Sequence, residues 1–218
     1  MKTKILPSEE LFSAAAQEIA ELVKSKPNAA IAFSDDPETA EILKAFFMLC
    51  KENRIDCREV RFFASSNIPD DPAAEEVLLN GFAAVRPEPE APEVYDGQLS
   101  ECGLDLQLLS VGCTGRIAYN EPAVPFNSGT HIQKITDRTK KELSSQFERS
   151  NIPDTVCTAG IRTILSAEHV IVAAKGAYRS EALFRTLYAR TDSTVPAAFL
   201  QLHLNVTIYA DAMAAEKL

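Results

Sequence analysis

Short apolar runs and helical periods take turns along this chain, and no other feature of the sequence restricts its fold as tightly. "AAIAF" (29–33), "LDLQLLSV" (104–111), "HVIVAA" (169–174) and "NVTIYA" (205–210) have strand length and stay apolar with little interruption, as expected of strands covered on both faces. "REVRFF" (58–63) alternates, and "THIQKI" (130–135) also reads as a strand. Between these runs, Leu11, Phe12, Ala15, Ile19, Leu22 and Val23 recur at spacings of three and four, with Ser8 placed as an N-cap. "SDDP" sets Asp36 and Pro37 at the head of a helix through "ETAEILKAFFMLC", and helical periods follow at 73–84, in "DRTKKELSSQF" and in "YRSEALFRTLYAR". This alternation predicts an α/β fold: a single doubly wound, mostly parallel sheet with helices on both faces, Rossmann-like, with residues 1–218 as one domain. "RPEPEAPEVYDG" (86–97), rich in Pro and Glu, reads as an exposed loop.

A formal net charge of −9 argues against nucleic acid or an anionic membrane surface as partner, since both call for clustered Lys and Arg. Small molecules and proteins remain, and a homo-oligomer is left open. The chain has no apolar run of about 18 residues, and Met1–Ala20 lacks the order of a signal peptide, so a cytoplasmic location is expected. The five cysteines are scattered without a CxxC pair, which fits reduced thiols rather than a disulfide framework or a metal site. No cofactor is implied. Cys113 stands out because Arg116, three positions on, is placed to lower its pKa.

In open sheets of this kind ligands lie beyond the carboxyl ends of the strands, near a topological switch point. That singles out "SDDPET", "ASSNIP" and "GCTGRIAYNEP", each directly after an apolar run. The last of these, with "VCTAGIRTILSAEHVIVAAKG" and "FLQLH", resembles the glucosamine-6-phosphate deaminase family, a branch of a sugar-phosphate superfamily that includes the 6-phosphogluconolactonases. The resemblance runs from Leu104 to Asp211. The family signature G-x-G-x-D-G-H-I-A-F-N-E-P is matched at Gly112, Gly115, Ile117, Ala118, Asn120, Glu121 and Pro122, with Tyr119 for Phe.

What the resemblance implies is a reaction that converts an amino-sugar 6-phosphate to fructose 6-phosphate and ammonia. Such a reaction needs a base at carbon 2, an acid–base group for ring opening and anchors for the phosphate. Carried over by position, Glu121 is the retained catalytic residue, and Ser65, Gly112, Thr114, Gly115, Arg116, Asn120, Arg162 and Arg179 are the substrate-binding positions. Thr114 and Arg116 stand where the family has Asp and His. A guanidinium cannot carry a proton back and forth near neutral pH, so the relay is broken. Ser65 takes the place of the carbon-2 base, and a hydroxyl without a neighbouring base is too weak for that task. Asp70 and Asp71, just downstream, read as a turn and a helix cap. The phosphate loop T-G-S-T is replaced by "SDDPET", whose Asp35, Asp36 and Glu38 oppose a dianion. Arg179 matches one of the family's two phosphate cations and Ser145 replaces the other. Arg162, at a family Gly in "TAGIRT", offers a substitute charge.

Arg116 and Glu121 are expected to pair and to line a polar pocket, so that Arg116→Ala would weaken a ligand and leave the fold standing. The chain is short between Ser65 and Leu104, which predicts a trimmed lid and an open cleft. Two functional readings follow: a divergent deaminase of amino-sugar or carbohydrate metabolism with its ancestral reaction impaired, or a non-catalytic sugar- or metabolite-binding sensor. A lactonase-like hydrolase is a third. In each, the ligand is a small sugar or sugar phosphate.

Overall fold

The computed structural model describes residues 1–146 and 152–218. Its elements are β1 (Lys2–Ile5), α1 (Leu11–Ser25), β2 (Ala30–Phe33), α2 (Pro37–Asn53), β3 (Arg61–Ala64), α3 (Pro72–Leu79), β4 (Ala84–Val85) and α4 (Pro92–Cys102). There follow β5 (Leu106–Ser110), β6 (His131–Lys134), α5 (Asp137–Gln146), β7 (Thr155–Thr158), α6 (Ile161–Leu165), β8 (His169–Ala174), α7 (Ser180–Tyr188) and β9 (Val206–Ala210). Short 3-10 segments lie at Ala177–Arg179 and Pro196–Leu202.

Seven strands form one sheet in the order β1-β9-β8-β5-β2-β3-β4, and every neighbouring pair is parallel. The chain steps outward from β2 to β3 and β4, then returns to lay β5 on the other side of β2. The topological switch therefore falls between β2 and β5, and the loops leaving their carboxyl ends meet there.

Side chains alternate across the sheet as a pleated strand requires. Ile31 and Phe33 of β2 pack with Leu11, Ile19, Ile42, Phe46 and Val77 of α1, α2 and α3. Ala30 and Ala32 join Tyr95, Leu99, Ile161, Ile164 and Leu183 of α4, α6 and α7 on the opposite face. Helices thus cover both faces, and β2 and β5 are buried along their whole length, which is why they read as continuous apolar runs. Among the described residues no helix is long and apolar enough to cross a membrane.

Four local readings change. The helix expected over 73–84 ends at Leu79, and Ala84–Val85 continues the sheet as β4. The Pro- and Glu-rich stretch is not all loop: α4 starts inside it at Pro92, anchored by Tyr95 and Leu99, which are buried. "THIQKI" leaves the main sheet and pairs antiparallel with β7. Ile68, Tyr119, Ile135, Leu143 and Val156 then pack this hairpin and α5 over the strand ends. The helix read over "DRTKKELSSQF" is α5, and Phe147 lies outside the described residues.

The fourth concerns Ser8, which does not cap α1. Glu10 holds the N-cap position, and the Ser8 hydroxyl donates to Asp211 Oδ2 at 2.8 Å. Asp211 Oδ1 also accepts from the N–H groups of Gly176 (3.0 Å) and Ala214 (2.8 Å), joining the ends of β8 and β9 to the start of α1. Burial opposes its ionisation, but these donors and Lys175 outweigh it and hold its pKa below the ordinary carboxylate value. Asp211→Ala should therefore cost about 2–3 kcal/mol, because it strands buried donors. The ionised carboxylate stabilises the fold above its unfolded pKa, and that contribution disappears as pH falls through the lowered folded value. Urea unfolding of the two proteins should differ at pH 7 and converge toward pH 3. An equal gap at both pH values would disprove the assignment.

Candidate functional site

At the switch point Ser34 leaves β2 and donates its N–H to Leu108 O at 2.9 Å, while Ser110 N–H of β5 reaches the Ser34 hydroxyl at 3.3 Å. The glycine loop follows as a tight reversal: Gly115 N–H donates to Gly112 O at 2.8 Å, and Gly112 N–H to Arg116 O at 2.9 Å. Gly115 has φ of 81°, the left-handed region that favours glycine. A β-carbon on Gly112 would stand 2.5 Å from Arg116 Cγ, so the missing side chain is what lets Arg116 fold back over its own loop.

Arg116 is fully buried. Its Nη1 donates to Ala118 O at 2.6 Å, Nη2 lies 3.5 Å from Asp36 Oδ1 and Nε lies 3.5 Å from Glu142 Oε2. The guanidinium stands 5.1 Å from the centre of the Tyr119 ring. Burial opposes its charge, but Asp36 and Glu142 outweigh that effect and raise its pKa above the usual arginine value. It is a permanent cation held between two carboxylates.

Arg179, also fully buried, forms the second half of the cluster. Its Nε donates to Glu38 Oε1 at 3.1 Å, and Nη2 donates to Oε1 and Oε2 at 2.8 and 2.9 Å. Its Nη1 donates to Val111 O and lies 3.5 Å from Glu142 Oε1. Glu142, on α5, thereby touches both guanidinium groups, and it also accepts the Cys113 N–H at 2.9 Å. The neighbouring carboxylates are held as well: Ser34 donates to Asp36 Oδ2 at 2.7 Å, and the Tyr119 hydroxyl to Asp35 Oδ2 at 2.7 Å.

Of the residues expected at the site, the structure gathers Gly112, Gly115, Arg116 and Arg179 into this network. Thr114 lies in the same loop, buried, with its hydroxyl lacking a hydrogen-bond partner among the described residues. Asn120 serves the loop's shape: Nδ2 donates to Ile117 O (3.0 Å) and Ala159 O (2.8 Å). Ser65 accepts from Gln107 Nε2 at 3.0 Å. Asp71 caps α3 as read, accepting from the N–H groups of Ala73 and Ala74 at 2.9 and 3.0 Å.

Other expectations are overturned. Arg116 and Glu121 do not pair. Ala118 takes a left-handed φ of 46°, and Glu121 Oε1 instead accepts from Thr136 N–H and hydroxyl at 3.3 and 3.2 Å, with Oε2 buried and lacking a hydrogen-bond partner among the described residues. Arg162 does not lend its charge to the cluster: its side chain is 65% exposed, 3.5 Å from Asp96 in a surface hollow between α4 and α6. The strand ends are closed rather than open, with Arg116 and Arg179 at 0% and Asp36 at 1% exposure. Cys113 is not activated, because burial and Glu142 push its thiol pKa up against the pull of Arg138. His203, in "FLQLH", is structural: its Nε2 lies 2.7 Å from Ala167 O and its Nδ1 accepts the Asn205 N–H at 3.1 Å.

Sequence reasoning missed Glu142 altogether and treated Glu38 only as an obstacle. The one signal for either was a surplus of carboxylates near two arginines in an apolar setting. Among the described residues no group of three His, Cys, Asp or Glu side chains is placed to hold a metal ion.

No family model matches the chain. Glucosamine-6-phosphate deaminase of Halalkalibacterium halodurans is 39% identical over 116 residues, 53% of this chain and 47% of that protein. That of Streptococcus thermophilus is 38% identical over 130 residues, 59% of this chain and 56% of that protein. The chain spans about half the length of these curated relatives. The enzyme of Bacillus thuringiensis aligns more fully, at 29% identity over 224 residues, 93% of this chain and 83% of that protein. Among solved structures, a monomeric glucosamine-6-phosphate deaminase superposes with a TM-score of 0.89 at 25% identity, covering 100% of both chains. The 6-phosphogluconolactonase of Trypanosoma brucei shares the fold, with a TM-score of 0.75 at 19% identity over 100% of this chain and 98% of that one. Signature loop, sheet order and alignments agree: the chain is similar to the glucosamine-6-phosphate deaminases along most of its length and shares its fold with a monomeric member and with a 6-phosphogluconolactonase.

Proposed function

We propose that this protein serves amino-sugar metabolism by binding a sugar or sugar-like metabolite at the strand ends, and that it no longer carries out the deamination named in its relatives. The observation that carries this reading is Arg116. At the position where the family signature has a histidine, it is a buried cation lying 3.5 Å from each of two carboxylates, with its pKa raised. It can fix an anion or a loop, but it cannot give and take a proton at neutral pH. Ser65, at the carbon-2 position, accepts from Gln107 Nε2, and among the described residues no carboxylate or imidazole hydrogen-bonds to its hydroxyl. Losing both groups removes two effects of roughly 100- to 10,000-fold each in rate.

Two measurements test the reading together. Ammonia release from glucosamine 6-phosphate should not rise above the rate without protein, and substantial turnover would overturn the loss of catalysis. A thermal-shift screen of unphosphorylated sugars and amino sugars should find a compound that raises the melting temperature, since a ligand of the native state stabilises it. A screen in which nothing shifts it would overturn the binding role.

A further inference from the structure

At the far end of α2 from Asp36 and Glu38, about 25 Å of helix away from the strand ends, two thiols face each other. Cys50 sits in the last turn of α2, buried at 4% exposure, and Cys57 lies half-buried on the connection that leads into β3. Both pack in the cluster that joins α1, α2 and α3 to the sheet, and the Cys50 thiol interacts directly with that of Cys57. The backbone builds this meeting. α2 stops at Arg54, whose left-handed φ of 53° reverses the chain, and the Cys50 carbonyl accepts the N–H groups of both Arg54 and Ile55, the latter at 2.9 Å. Asp56 Oδ1 then accepts the Arg58 N–H at 3.1 Å, and Cys57 O the Val60 N–H at 3.1 Å. A helix stop followed by a second turn thus folds Cys57 back over Cys50.

The two thiols are not equivalent. Burial, and the Cys57 thiol beside it, push the Cys50 pKa up to about 12. Cys50 is therefore protonated at neutral pH and a poor first nucleophile, whereas Cys57 is the more exposed of the two. The other cysteines are engaged elsewhere: Cys102 Sγ donates to Leu99 O at 3.6 Å, Cys157 Sγ to Glu88 O at 3.7 Å, and Cys113 lies against Glu142 and Arg138.

We propose that Cys57 and Cys50 form a redox-active dithiol, an oxidative modification site that hydrogen peroxide closes into a disulfide. In the first step the Cys57 sulfur, giving its proton to water, attacks one peroxide oxygen. The O–O bond breaks, Cys57 becomes a sulfenic acid, and the other oxygen takes up that proton and leaves as water. In the second step the Cys50 sulfur attacks the Cys57 sulfur: the S–S bond forms, the S–O bond breaks, and the departing hydroxide takes the Cys50 proton to leave as water. Two thiols and one hydrogen peroxide give one disulfide and two waters, and a thiol reductant reverses the closure by exchange. The bond ties the end of α2 to the lead-in of β3 around residues 50–57.

The test treats the full chain with hydrogen peroxide under native conditions, blocks the remaining thiols and digests the protein with trypsin. Cleavage after Lys51 and Arg54 puts the two cysteines on separate peptides, 45–51 and 55–58, so the disulfide joins these two and a reductant parts them. Wild type should yield that linked pair, and its melting temperature should rise by about 5 °C, since the closed loop restricts the unfolded chain. With dimedone present during oxidation, Cys50→Ser should stop at the first step and carry the label on Cys57, and Cys57→Ser should leave Cys50 reduced. Native wild type that keeps both thiols would overturn the inference. So would a linked pair that forms only in urea, a linked protein that melts below the reduced one, or a Cys57→Ser protein whose Cys50 takes the label.

Discussion

Arg116→Ala is expected to destabilise the protein by about 3–5 kcal/mol, because it takes from buried Asp36 its ion-pair partner and from buried Glu142 one of its two guanidinium partners. Asp36 and Glu142 are buried, at 1% and 4% exposure, and each has an oxygen that lies 3.5 Å from this guanidinium and makes no hydrogen bond among the described residues. Truncation would also remove the 2.6 Å bond to Ala118 O, which supports a residue with left-handed φ. Urea unfolding reads the loss. Neutralising the partners in the same background, as Asp36→Asn/Glu142→Gln with Arg116→Met, should recover most of it, since an uncharged set of similar shape avoids stranded charge. An Arg116→Ala protein within 1 kcal/mol of wild type, a margin of about fivefold in the folding equilibrium, would show the cluster to be solvated. The sequence alone suggested the opposite outcome, an intact fold with a weakened ligand.

Gly160→Ala should be nearly as damaging, for a purely steric reason. Gly160 has an ordinary φ of −79°, so its need for glycine is not conformational. An added β-carbon would lie 2.6 Å from the Ser128 carbonyl carbon and closer still to the carbonyl oxygens of Ser128 and Gly129. These are backbone atoms, held there by Arg162 N–H to Ser128 O at 2.9 Å and Ile161 N–H to Ser128 Oγ at 3.0 Å. They cannot rotate away as a side chain would. A cost of about 3 kcal/mol is expected, at the upper end of overpacking penalties, with the melting temperature as readout. A shift too small to measure would mean that the 128–129 and 160 segments separate in solution.

The doubly wound sheet was legible because strands buried on both faces have to be apolar along their length, and β2, β5, β8 and β9 are. α4 was hidden because Tyr95 and Leu99 are its two buried anchors among Pro, Glu, Asp and Gly, too few to show a helical period. β6 was legible as a strand but not as part of a separate antiparallel hairpin, since pairing partners are not written in one strand's composition. In the site, the signature loop could be read residue by residue, yet its contacts could not. Arg116 and Glu121 are close in sequence, and their neighbourhood invited a pairing that the turn at Ala118 prevents. Glu38 and Arg179 lie 141 positions apart, and only the parallel order of β2, β5 and β8 brings them together.

The two borders of the sheet set a limit on how copies of this chain can associate. Parallel strands leave unpaired N–H and C=O groups along an outer edge, a template for adding foreign strands. On one side, β4 has two residues and runs straight into Arg86 and Pro87, so little ladder is available and the next residue but one lacks a donor. On the other, β1 is exposed along its length but carries Lys2 and Lys4, and the latter is folded onto Glu18 at 2.5 Å. Charge guards one margin and brevity the other. Growth by extending the seven-stranded sheet is thus disfavoured at both ends.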